Sequence, residues 1–330
     1  RRKAVIAATT RRRFMLAAAA TPWLARRARA DDFPSRPIRI VVGFPPGGGI
    51  DILARLMAPK MAERLGQAVV VENRPGANGQ RGTLSVAQAD ADGYTILCGT
   101  MGALAVNQLL NAGRAGVDME RDFVPLAHIA SLPMVLCVNS ALPVRSVAEL
   151  IAYAKARPRQ VFFGSSGIGG LPHLCGALFN LQAGVETVHV PYAGSAPSFT
   201  DLARGQTQFD FDAYAVALPF IQSGHVRMLA ATEATRLDAL AGVPTMRETL
   251  PDFAVANWYG MVMRAGTPPA AVARLNQDVL HALHQPDVAE RANVLGLELV
   301  GTSAEKFGAF LHQEIARWAE VIRTAGIKVE

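Results

Sequence analysis

The chain has 330 residues, half of them hydrophobic and 18% charged. That length and apolarity support one large or two medium packed cores and exclude an intrinsically disordered protein. The formal net charge of +6 is confined to one end: nine of the 33 basic residues fall in positions 1–30, which hold no acid, so residues 31–330 carry 24 basic against 27 acidic side chains, a net of −3, with no basic bias toward a nucleic-acid backbone.

Residues 1–30 read as an export signal, with an amphipathic N-terminal helix as the competing reading. Thr10-Arg11-Arg12-Arg13-Phe14-Met15 is a twin-arginine pattern, Phe14 to Leu24 is a short apolar run, and Ala28-Arg29-Ala30 is an A-x-A cleavage site that places the mature start near Asp31. The apolar run falls short of the roughly 20 residues that span a bilayer, and no later segment looks transmembrane. The expectation is an exported, periplasmic protein.

From there strand-like and helix-like segments alternate, the pattern of an α/β fold with mostly parallel sheets. PIRIVVGF reads as a strand that ends in three glycines, Gly47-Gly48-Gly49. The helix after it carries Leu53, Leu56, Met57, Met61 and Leu65 at i, i+3, i+4 spacing. Then come a strand (AVVVEN), a turn-rich loop (RPGANGQRG), a helix (TLSVAQA) and a strand (TILCGT). PLAHIASLPMVLCVN reads as two strands broken at Pro133. SVAELIAYAKARP reads as a helix with the spacing of a capping box, Ser146 and Glu149. VFFGSSGIGG repeats the strand–glycine turn–helix order ahead of LPHLCGALFNLQAG, and VETVHVPYAGSAP repeats it again ahead of SFTDLARG. The strands QFDFDA, HVRMLAAT and NWYGMVMR follow, and two helices close the chain. The last has Phe307, Phe310, Leu311, Ile315, Trp318 and Ile322 along one stripe.

Three cysteines, Cys98, Cys137 and Cys175, allow one disulfide in an oxidising compartment, with three possible pairings. Their apolar surroundings favour three buried thiols. There is no C-x-x-C, so neither a zinc nor a redox role has support.

A helix N-terminus offers unpaired N–H groups and a partial positive charge, and glycine lets a ligand approach the backbone. The three glycine turns therefore suit an anion. A phosphate loop would need Lys and Ser/Thr after Gly48, where the chain has Gly49 and Ile50. The dinucleotide fingerprint fails at Ile52 and again at Pro172. A carboxylate is the better fit. The competing reading of each turn is plain chain reversal, but the hydroxyls of Ser165, Ser166 and Ser195 point toward a shared site.

No catalytic constellation emerges. Seven histidines are scattered, H-E-x-x-H is absent, and so is a G-x-S-x-G elbow. His281 and His284 read as a solvated helix face. His173 opens a helix beside a glycine turn, where an isolated histidine is more often structural than functional. Asp51 stands in a first helical turn, where an acid also serves as a cap. Asp210 and Asp212 share one face of a strand, either toward a cleft or on a solvent-facing edge.

The segments FPPGGGIDILAR, VENRPGANGQRGT, DGYTILCGT, RDFVPLAHIASLP, SSGIGGLPHLCGALF, VHVPYAGSAPSFTDLARGQ, GVPTMRE and WYGMVMRAGTP, in this order, resemble the solute-binding proteins of tripartite tricarboxylate transporters, the Bug family. The likeness covers nearly all of the chain after the leader. It implies a two-lobed, Venus-flytrap α/β fold, each lobe a mostly parallel sheet flanked by helices, with residues 31–130 and 254–330 in the first lobe and 131–253 in the second. It also implies a small organic carboxylate in the cleft, permease subunits in the membrane as partners, a monomer, no cofactor, no metal, no nucleic acid and no enzymatic activity. A sensor for a signalling receptor is the alternative, and an exported hydrolase or isomerase using Asp51 or His173 as base a more distant one. The resemblance places the ligand against Phe44, Gly47, Gly48, Gly49, Ile50 and Asp51 from the first lobe. From the second it adds Ser165, Ser166, Gly167, Gly169, His173, Tyr192, Gly194, Ser195, Ala196 and Asp212. The chain departs from the family pattern at Ile50, where a Thr or Ser is usual, and at Asn78, Gln80 and Arg81, which are bulkier and more polar. Arg81 would face either a second acidic group of the ligand or solvent.

Overall fold

The computed structural model describes residues 33–110, 116–237, 240 and 242–327; the expected export leader falls outside them. The apolar run β1 (Ile38–Val42) is buried except at Arg39. It lies between two parallel neighbours, β2 (Val69–Asn73) and β3 (Thr95–Thr100). Helix α1 (Gly49–Leu65) links β1 to β2, and α2 (Gln80–Ala87) links β2 to β3. Right-handed crossovers running in opposite directions put the two helices on opposite faces of the sheet. α1 buries Leu53, Met57, Met61 and Leu65 and ends at Gly66, whose φ of 64° turns its N–H back onto the Ala62 carbonyl.

A π-helical turn, Gly102–Val106, follows β3 and runs into α3 (Asn107–Leu110). α4 (Met119–Asp122), capped by the Asp118 carboxylate, leads into β4 (Phe123–Leu132). At Pro133 the chain changes sheets. β5 (Met134–Asn139), α5 (Val147–Lys155), β6 (Phe162–Ser165), α6 (Leu171–Ala183), β7 (Val188–Pro191), α7 (Ser195–Ala203), β8 (Phe209–Ala213), α8 (Tyr214–Gln222) and β9 (Val226–Ala231) build the second layer. The chain then returns as β10 (Asn257–Arg264), α9 (Pro269–Leu283), α10 (Pro286–Val294), β11 (Glu298–Leu299) and α11 (Ala304–Ala325).

The first sheet runs β11-β4-β10-β3-β1-β2 and the second β7-β6-β8-β5-β9. Both share one plan. A parallel trio has its first strand in the middle, and an antiparallel strand lies against its third: β10 on β3, β5 on β8. Crossovers that leave a central strand in opposite directions open a crevice at its carboxyl end, where ligands sit in open α/β sheets. Here those ends belong to β1 and β6.

α11 ties the two layers together. It packs on β4 and the Gly102–Val106 turn of the first sheet and on α6 of the second. Phe307 and Trp318 are fully buried, each such side chain contributing about 2–3 kcal/mol of apolar burial. Glu314, also buried, accepts from Trp258 Nε1 at 3.0 Å and pairs with Arg317 at 3.0 Å. Phe310, half-buried, stacks on His128, whose imidazole burial drives down to about 4. All three cysteines are buried thiols.

Several elements differ from the sequence reading. α7 begins at Ser195 and α2 at Gln80, each three residues before the expected start, because a glycine and not a side chain caps them. α8, YAVALPFIQ, has no counterpart in that reading: it is apolar nearly throughout and contains Pro219, so it shows no helical stripe. At α5, Ser146 accepts from Glu149 N, but the Glu149 carboxylate reaches Arg145 N at 2.7 Å, one residue before the cap.

Candidate functional site

Glycines after β1, β6 and β7 turn the chain directly into α1, α6 and α7. Their N-caps are Gly48, Gly170 and Gly194, and none supplies a side-chain cap. α5 and α11, in contrast, are capped by the Ser146 and Ser303 hydroxyls. A glycine cap leaves the first-turn N–H groups free of side-chain partners, at the positive end of the helix dipole. Gly47 and Gly194 hold φ angles of 89° and 120°, and a Cβ on either would meet nothing within 4 Å. Their glycines answer a backbone need, and the turns border open space.

On the first-sheet side, Asp51 is 2% exposed and fully committed to the loop. It accepts from Gly47 N at 2.9 Å, from Arg55 Nε at 3.0 and 3.1 Å and from Asn73 Nδ2 at 2.8 Å. Burial raises its pKa, but these bonds outweigh burial and hold the carboxylate below its ordinary range. Asn73 Nδ2 also donates to the Phe44 carbonyl at 3.0 Å, so the end of β2 grips both sides of the turn. Ile50 is 3% exposed. Its side chain belongs to the hydrophobic core beneath the turn. The Phe44 ring rests against Gly79, where a Cβ would come within 3.2 Å of it. A Cβ on Gly49 would lie 3.1 Å from the Tyr259 hydroxyl, which brings β10 to this end. Arg81 is exposed. Its stem lies over Gly76, where a Cβ would come within 2.7 Å of Arg81 Cδ.

On the second-sheet side, five expected ligand residues, Ser165, Gly167, Gly169, His173 and Tyr192, bond to their own surroundings. Ser165 is fully buried. Its Oγ accepts from Gly167 N at 3.1 Å and lies 2.6 Å from His189 Nε2. Gly169 N donates to His173 Nδ1 at 3.1 Å. Ser166 is the turn's half-exposed hydroxyl. Tyr192 N donates to the Ser165 carbonyl at 3.0 Å, and its hydroxyl donates to Asp201 at 3.0 Å, so this ring folds back onto α7. Gly194, Ser195 and Ala196 open that helix with partly or fully exposed surfaces.

Asp210 and Asp212 lie on β8 in the interior of the second sheet, at 0% and 6% exposure. The solvent-edge alternative is therefore overturned: β5 and β6 flank the strand and α7 covers it. Asp210 accepts from Ser198 Oγ, and its other oxygen, Oδ1, is without a hydrogen-bond partner. Burial, then the neighbouring Asp212 charge, push its pKa well above the carboxylate range. Burial lifts Asp212 to about 6, against the pull of Ser195 and of the Ala213 amide, which donates at 2.7 Å. Among the described residues no cation is bonded to either, so burial favours the protonated form of both, and of Asp210 more strongly than of Asp212.

The hydrogen-bonded Ser165 and His189 invite comparison with a nucleophile and its base. Ser165 has no exposed surface, its Oγ is also held by Gly167 N, and among the described residues no carboxylate bonds the other ring nitrogen of His189. The pair lacks both access and the orienting third group. No cluster of metal-ligating side chains occurs among the described residues. Tyr259, Asn73 and His189 are missed by sequence reasoning because each reaches the turns from a distant element; Arg55 is missed although it stands one helical turn after Asp51 in α1. A signal exists for Tyr259 in the segment WYGMVMR, which carries part of the family resemblance.

A model of the tripartite tricarboxylate transporter family receptor matches residues 53–327. Protein BugT of Bordetella pertussis is 37% identical over 94% of this chain and 96% of its own. Among solved structures, R. palustris Rpa4515 with adipate is 39% identical and superimposes with a TM-score of 0.76, covering 90% of this chain and 99% of that one. MatC (Rpa3494) from Rhodopseudomonas palustris with bound malate is 30% identical with a TM-score of 0.72, covering 88% of this chain and all of that one.

Proposed function

The chain belongs to the tripartite tricarboxylate transporter receptor family, and from that premise we propose that it is a periplasmic solute-binding protein that captures a small organic carboxylate between its two lobes. The observation that carries this reading is the set of three glycine-capped helix N-termini, α1 from the first sheet and α6 and α7 from the second, each without a side-chain cap. Backbone N–H groups at such termini hold an anion without any basic side chain. The lobes are residues 31–130 with 254–330, and 131–253. The ligand carboxylate sits against the backbone of Gly47 to Ile50 on one side and against Ser166 and Gly194 to Ala196 on the other. Phe44 lines the mouth. Asp51, Ser165, Gly167, Gly169, His173 and Asp212 support these turns from behind.

Closure on the ligand completes its hydrogen bonds from both lobes, so the open and closed states must lie within a few kcal/mol of each other. The family is one of receptors, and the protein works as a monomer that passes its cargo to permease subunits in the membrane. Adipate and malate, the ligands of two structural neighbours, make dicarboxylates the first candidates. A thermal-shift screen of residues 31–330 against mono-, di- and tricarboxylates, with phosphates and sugars as controls, tests the reading. A carboxylate at 100 times its Kd adds about 2.7 kcal/mol of stability. Stabilisation by nucleotides or sugars alone would overturn it.

A further inference from the structure

Two imidazoles stand behind the glycine turn that follows β6. His173, in the first turn of α6, accepts from Gly169 N at 3.1 Å. His189, on the edge strand β7, lies 2.6 Å from Ser165 Oγ, which accepts from Gly167 N at 3.1 Å. The rings stack on one another with centroids 3.9 Å apart and planes 10° from parallel. His189 stacks in turn on Phe163, at 5.0 Å. Phe163 is 2% exposed and lies against α6, where a Cβ on Gly176 would come within 2.1 Å of its ring. Ser165 and Phe163 are two residues apart on β6 and so share the face that looks toward α6. The two histidines thus hold the two ends of one turn and are braced by a buried ring packed against α6.

We propose that His189 and His173 are positioning residues for the second-lobe anion turn, acting through Ser165 and Gly169 and not on the ligand. This rests on the carboxylate-binding reading above and adds to it the residues that fix the geometry of one jaw. His189 Nε2 holds the Ser165 hydroxyl, whose Oγ accepts from the Gly167 amide and lies 3.2 Å from the Gly167 carbonyl. His173 fixes Gly169 directly. Gly167 and Gly169 have φ angles of 133° and 75°, conformations that no side chain of their own could hold, so the order of the turn is imposed from outside. Neutral rings are required, because two protonated imidazoles do not stack at this distance. Burial lowers both, His189 to about 4, with the nearby His173 adding to the effect. Among the described residues, the polar and aromatic side chains around the pair are Phe163, Ser165, Asn180 and Thr187, and none of these carries charge.

The test is amide hydrogen exchange over residues 164–171 in the ligand-free protein, residues 31–330. H189L removes both the hydrogen-bond partner and the stack, and H189Q keeps a polar partner for Ser165. H189L should speed exchange of this turn about tenfold, the change expected from one lost net hydrogen bond, while peptides from the first sheet stay unchanged. H189Q should restore exchange to within about threefold of the wild type. S165A should match H189L, and the double variant should add nothing to either. Unchanged exchange in H189L, an H189Q as fast as H189L, or additive effects would overturn the proposal. Titration of the wild type with adipate and malate reports separately on the carboxylate reading, so either can fail alone.

Discussion

Replacing Asp212 by asparagine stabilises the ligand-free protein at neutral pH and not in acid. The carboxyl is 6% exposed, and burial lifts it from 3.8 to about 6. A raised carboxyl is protonated in the folded state while the unfolded chain has already released its proton. Its contribution to stability is therefore intact below about pH 4 and is lost as pH rises toward 6 and beyond. A shift near two pH units corresponds to about 3 kcal/mol once pH exceeds the folded value. Asparagine of nearly the same shape carries no such penalty. Urea unfolding of wild type and D212N between pH 3.5 and 7.5 should give two curves whose separation is small and constant below pH 4. The separation should then grow by about 3 kcal/mol in favour of the variant by pH 7. A difference that is flat across this range, or one that moves against the variant, refutes the reasoning. It would mean that Asp212 is solvated or ion-paired in solution.

Other outcomes follow from the same geometry. D51A leaves Gly47 N without its acceptor and removes one of the two acceptors of Asn73 Nδ2; it should cost about 1–3 kcal/mol, seen by thermal unfolding, and weaken carboxylate binding by more than Arg55→Ala does. G176A places a Cβ 2.1 Å from the Phe163 ring in the α6–sheet interface and should destabilise by about 1–3 kcal/mol through overpacking, measured by urea midpoint. E314A strips the acceptor from the buried Trp258 indole and the partner from Arg317. The loss should be about 3 kcal/mol, with a shift in tryptophan emission, and E314Q should recover much of it.

The alternation of strands and helices is legible in the sequence because each buried run is short, bounded by glycine or proline, and followed by a periodic helix. β1 with α1, and α11 with its apolar stripe, are cases in point. The glycine turns are legible too, since glycines packed between a strand and a helix mark a tight turn whose backbone stands open to a ligand. α8 is not, because a helix apolar nearly all round carries no periodic signal. Nor are the roles inside the site. Asp51 and His173 have the chemistry of ligand groups, and only the fold reveals that Gly47, Arg55 and Asn73 occupy the first and Gly169 the second. Asp210 and Asp212 share a face by strand periodicity alone. Whether that face meets water depends on sheet order, a long-range property that the local pattern does not encode. The two-fold plan of the sheets escapes a search for repeats because unequal connections erase any fixed period.

The central claim, that backbone amides from both lobes grip one carboxylate, is tested most directly by glycine-selective amide NMR. The protein is labelled with 15N-glycine and titrated with the carboxylate returned by the stability screen. The account predicts that the amides of Gly48 and Gly49 in the first lobe and Gly194 in the second shift together, with one binding isotherm, while Gly66 and Gly184, at helix C-termini, stay in place. Shifts confined to one lobe, or binding that leaves all three amides unmoved, would contradict it.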